Sequence, residues 1–196
     1  MKHALALMAA LLTAAPPPQA ENASATRLMA TFERFGDDVS TIRRGRVPVE
    51  FLQKHANTIR TLRAEIVSDE PPVWTFDSSD ILQSPDPPLR THIRLFSILG
   101  ADALAQKNSP AAWADLHATW ILSRSLLQRP EGLSIRIGLL GRRRIDAVAA
   151  LLGPPLPAWW SEYKSFDTQT PAARADVYDA RMLVAELRRE LTELFE

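Results

Sequence analysis

The stretch Leu89 to Leu127, LRTHIRLFSILGADALAQKNSPAAWADLHATWILSRSLL, decides the fold class. In its first half Ile93, Phe96, Gly100 and Leu104 recur three or four residues apart, while Leu95, Ile98 and Leu99 fill the other faces. A helix over Leu89 to Lys107 is therefore apolar around most of its circumference, which marks it as a central helix. Asn108-Ser109-Pro110 then ends one helix and begins another. Ser109 offers a side-chain oxygen to the free N–H groups of the next first turn, and Pro110 brings the helical φ while lacking an N–H that would go unbonded there. A connection this short makes the two helices antiparallel neighbours. In the second half Trp113, Leu116, Trp120 and Leu127 share one face at about 100° per residue, which turns Asp115 away from that face and from His117.

The same periodicity extends in both directions. Leu28, Phe32, Phe35, Val39 and Ile42 predict one helix stopped by Gly45, and Phe51, His55, Ile59, Leu62 and Ile66 predict a second that opens near Pro48. From 68 to 88 the chain carries five prolines and an Asp-Ser cluster, and reads as an irregular loop whose Val73, Trp74, Phe76, Ile81 and Leu82 dock on the helices. Past a turn at Arg129 to Gly132, Leu133, Ile137, Leu140, Val148 and Leu151 mark a further helix, on which Gly138 and Gly141 leave a low spot for close approach. Gly153 ends it. A short aromatic segment follows, and Ala180, Leu183, Val184, Leu187 and Leu191 predict a last helix from Pro171 to Phe195. No run alternates with the period of a strand, and no 34-residue repeat supports a helical array. The expectation is an all-α, single-domain bundle of about six or seven helices arranged as antiparallel hairpins, over residues 26–196, with a long Pro-rich loop at 68–88.

Residues 1–25 stand apart. Lys2, an apolar run from Ala4 to Ala15 and a Pro-rich, small-residue end are the parts of a secretory signal peptide. The run is shorter than the roughly 20 residues that span a bilayer. Ala23-Ser24-Ala25 is the favoured cleavage signal, with Pro18-Gln19-Ala20 second, so a bacterial periplasmic or secreted protein beginning near Thr26 is expected, with no integral membrane segment once the signal is removed. The chain has no cysteine, which excludes disulfides, thiolate catalysis and thiolate metal ligands. Its 23 basic residues, 19 of them arginine, equal its 23 acidic ones, so no global field draws it to nucleic acid; another protein is the partner expected.

No catalytic motif is present: no nucleophile elbow, no paired-histidine zinc motif, no phosphate-binding loop. His117 has no carboxylate one helical turn away, so no catalytic residue is assigned. His55, His92 and His117 lie on successive helices, but each lacks the close-spaced second ligand of a zinc site, and neither a metal nor a cofactor is expected. The acids Asp77, Asp80 and Asp86 lack the spacing of a calcium loop. The candidate ligand-binding groups are Arg124 and Arg144, which fall within apolar stripes, together with His92 or His117, as a small anion pocket; the plainer alternative pairs Arg144 with Asp102 or Asp176. Trp159, Trp160 and Tyr163 are surface aromatic candidates, with a lid folded onto the core as their alternative. These residues predict macromolecule binding or a structural role without catalysis, and, as the competing reading, a small-ligand or metal-binding protein or hydrolase-type enzyme using the histidines and arginines.

Overall fold

The computed structural model of the chain describes residues 22–43, 45–67, 70–74, 87–107, 109–129, 131–174, 176 and 180, and every regular element over them is helical. The helices are α1 (Ala23–Glu33), α2 (Val49–Lys54), α3 (Ala56–Ile66), α4 (Pro87–Ala105), α5 (Pro110–Leu127), α6 (Gly132–Leu152) and α7 (Trp160–Ser165), with a 3-10 segment at Gly36–Thr41. The all-α bundle is as the periodicity predicts. Of the expected last helix, 171–174, 176 and 180 have helical backbone, and the apolar stripe from Leu183 to Leu191 lies outside the described residues, as do Phe76, Ile81 and Leu82. No helix among the described residues is long and apolar enough to cross a membrane.

α4, α5 and α6 pack on one another, and α3 joins α1 to α5. The largest core cluster runs from Ala25, Leu28 and Phe32 through Ile59 and Leu62 to Phe96, Leu99 and Leu122, and it includes Trp74 from the Pro-rich loop. Trp74 is buried against His92, with ring centroids 4.8 Å apart, so the loop docks by its indole as expected. At the α4 to α5 corner Ser109 Oγ accepts from Ala112 N at 3.2 Å and Pro110 opens α5. The low spot on α6 is filled from two sides: a methyl at Gly138 would come 2.9 Å from the Ser123 carbonyl oxygen, and one at Gly141 would come 2.8 Å from the Phe96 ring.

Three expectations about the elements fail, the first being that the stripe from Phe51 to Ile66 is one helix: the chain breaks at His55, between α2 and α3. The stripe from Leu28 to Ile42 is not one helix either, because α1 ends at Glu33 and Gly36, at φ +54°, redirects the chain into the 3-10 segment. Phe35, just before the bend, and Val39, on the 3-10 segment, are buried all the same. The third failure is Asp115, which is fully buried. α5 is enclosed by α3, α4 and α6, so Ala112, Ala118, Thr119 and Ser123 on its other faces are buried as completely as Trp120.

Candidate functional site

α4 presents Arg90 and Arg94 one turn apart, with Ile93 and Ser97 beside them, and α6 presents Leu140 and Arg144 one turn apart. Between these faces, closed at one side by Ile42 and Gly45, lies a cavity of about 490 Å³. Gly45 turns the chain at φ +74°, a conformation that favours glycine, and a methyl there would touch Ser97 Oγ at 3.4 Å. Its apolar wall is Ile42, Ile93, Phe96 and Leu140, and its charged wall is three guanidinium groups. No acidic side chain lines it among the described residues.

Arg144 reaches this cavity because α4 has no side chain at Gly100. A methyl there would come 2.6 Å from Arg144 Nε, so the arginine stem lies across the glycine. Nε is buried and has no hydrogen-bond partner among the described residues. Neither acid expected to neutralise it forms an ion pair with it: the Asp102 carboxylate accepts from Gln106 Nε2 at 2.5 Å, and Asp176 is exposed. A guanidinium stays charged at any pH the fold tolerates, and leaving such a group short of partners in a partly buried position is costly. The arrangement is suited to receiving an anion through forked hydrogen bonds.

A second, smaller cavity of about 200 Å³ is lined by His117, Arg124, Ser125 and Glu162 among others. His117 stacks on Trp159, centroids 5.1 Å apart and planes 14° apart. Burial lowers its pKa, Glu162 acting against that and Arg124 with it, which favours the neutral ring. Arg124 is ion-paired with Glu162, and Ser125 Oγ donates to the Leu122 carbonyl at 2.8 Å rather than to a base. The charges of Arg124 and Glu162 therefore offset one another in this cavity.

The expected pocket of Arg124 and Arg144 with a histidine is thus divided. His117 and Arg124 share the small cavity, Arg144 lines the large one, and His92 is packed in the core against Trp74 and Phe96. His55 Nε2 meets Asp38 Oδ2 at 2.7 Å, and Lys54 and His55 together hold that carboxyl below its usual range. The three histidines have separate neighbours, and among the described residues no three His, Cys, Asp or Glu side chains gather as metal ligands do.

The aromatic segment is folded onto the bundle. Tyr163 is fully buried rather than at the surface, while Trp159 and Trp160 are partly buried against Trp113 and Tyr163. Arg142 holds it there: its guanidinium lies 4.5 Å from the Tyr163 ring centroid and donates to the Tyr163 carbonyl at 3.1 Å. Tyr163 returns a bond from its hydroxyl to the Arg142 carbonyl at 3.1 Å.

Arg90 and Arg94 were not singled out by sequence. Their signal was available, because like charges one turn apart weaken an isolated helix and need a reason to be there. Asp115 was also missed. Its Oδ1 accepts from Arg63 Nη1 at 2.8 Å, joining α5 to α3 deep in the fold. The chain matches no known protein family, no curated protein and no solved structure.

Proposed function

We propose that the chain is an exported binding protein that works without catalysis, and that the cleft between α4 and α6 takes an organic anion with an apolar body. The carrying observation is the charged wall of the cleft, where Arg90, Arg94 and Arg144 stand together with no acidic side chain beside them among the described lining residues. The cavity volume lies in the range of small-ligand sites, and its mixture of apolar surface with a few convergent polar groups is the usual make-up of such sites. That volume favours a small molecule over a broad macromolecular contact. Export rests on the leader at residues 1–25.

Anilinonaphthalene sulfonate, an apolar fluorophore bearing one anionic group, is a direct probe. It is expected to bind saturably at one site, to be displaced by decanoate but not by decanol, and to bind about tenfold more weakly to Arg144→Gln, the loss of one charge-assisted contact. Arg124→Gln, in the other cavity, leaves the affinity unchanged. Displacement by decanol as readily as by decanoate, or equal affinity in Arg144→Gln, would refute the reading.

A further inference from the structure

The first described residue does more bonding than any surface residue needs to. Asn22 Oδ1 accepts from Ala25 N at 3.0 Å, capping α1, and also from Val73 N at 3.0 Å. Its backbone N–H donates to the Val73 carbonyl at 3.2 Å, and its side-chain amide donates to the Pro71 carbonyl at 2.9 Å and to Glu70 Oε1 at 3.1 Å. One asparagine thus fastens the start of α1 to the strap at 70–74, whose Trp74 is buried in the core. Ser24 and Ala25 are buried beside it.

These contacts bear on where the leader is removed. Cutting after Ala25, the signal favoured by small-residue pattern alone, would remove Asn22, delete a fully buried alanine and place the new ammonium of Thr26 inside the first turn of α1. That turn already concentrates unbonded N–H groups and the positive end of the helix dipole, which disfavour a cation. Cutting after Ala20 has none of these costs. It leaves Asn22 as an interior residue with its amide N–H intact, and Ala20 stands five residues beyond the end of the apolar run at Ala15.

Resting on the export reading above, we infer that the chain is processed at the bond between Ala20 and Glu21, so that the mature protein keeps Asn22 as the latch of its first helix. A processing peptidase adds water across that amide: the Ala20 carboxylate departs with the leader, and Glu21 gains the free ammonium.

The full chain, expressed with its leader in a bacterium and recovered from the periplasm or medium, is expected to have the intact mass of a chain beginning at Glu21. A start at Thr26 would overturn the latch while leaving export standing; an intact Met1 would overturn both. The latch has its own measurement in the recovered protein, where Asn22→Ala is expected to lower the melting temperature by about 4 °C. An unchanged melting temperature in that variant would also overturn it.

Discussion

Burial strips the Asp115 carboxylate of water, Asp102 adds a second negative charge nearby, and the Arg63 guanidinium offsets only part of the cost, so the carboxyl is pushed up to about 8. The sign of its effect on stability follows. A carboxyl whose folded pKa is raised binds its proton more tightly in the folded protein, so its contribution is fully present below the unfolded value near 4 and is lost as pH rises through about 8. Chemical denaturation from pH 4 to 9 should show this decline in the native protein and a flatter profile in Asp115→Asn, which keeps the shape and loses the charge. An equally steep decline in Asp115→Asn would assign the effect to other groups. Asp115→Ala is expected to cost about 2 kcal/mol or more by leaving Arg63 Nη1 without its buried acceptor. The sequence pattern predicts an outward Asp115, because periodicity recognises a buried face by its large apolar residues. A helix enclosed by three others buries small residues too. The cue is that Asp115 is the only Asp, Glu, Lys or Arg between Ala111 and Ser123, a scarcity that fits an enclosed helix better than an amphipathic one.

Among the elements, α4 and α6 are matched by two glycines with opposite consequences. Gly141 admits the Phe96 ring, and a methyl there meets a side chain held in the core. Gly141→Ala should therefore destabilise by about 1 to 3 kcal/mol through overpacking, despite its better helix propensity. Gly100 admits the stem of Arg144, which is long and can swing away. Gly100→Ala should change stability little and weaken the fluorophore several-fold, because the displaced arginine no longer faces the cleft. Melts and titrations on the two variants check the contrast, and a Gly100→Ala protein that binds as tightly as wild type would contradict it. The glycine spacing on α6 was legible as a low spot; what fills it was not, since a gap names no occupant. The break after α1 was hidden for a related reason. Phe32, Phe35 and Val39 keep helix-like spacing through a change of helix type, and only Gly36 marks the bend.

At the scale of the whole molecule the charges balance, 23 against 23, so no net field draws an anion to the protein at large. Fluorophore affinity should accordingly fall only a few-fold between 0.05 and 0.5 M salt, because partly enclosed charges are screened less than exposed ones. A loss of a hundredfold would point instead to diffuse surface binding. The helical fold was legible because its main evidence, apolar residues at helical spacing, is local. The cleft was not, since Arg90 and Arg144 stand 54 positions apart and meet only once α4 and α6 have packed. The strap at 70–74 gives that packing a mechanical side. Asn22 grips it at Val73, and Arg129, anchored by Glu131 at the turn into α6, donates to the Trp74 carbonyl at 2.7 Å. Tension applied to the chain ahead of Asn22 reaches the paired Asn22 and Val73 bonds before it reaches the helices. Yielding there would peel the strap toward Arg129 and draw the Trp74 indole into water, so the first event of forced unfolding would carry an optical signature of its own.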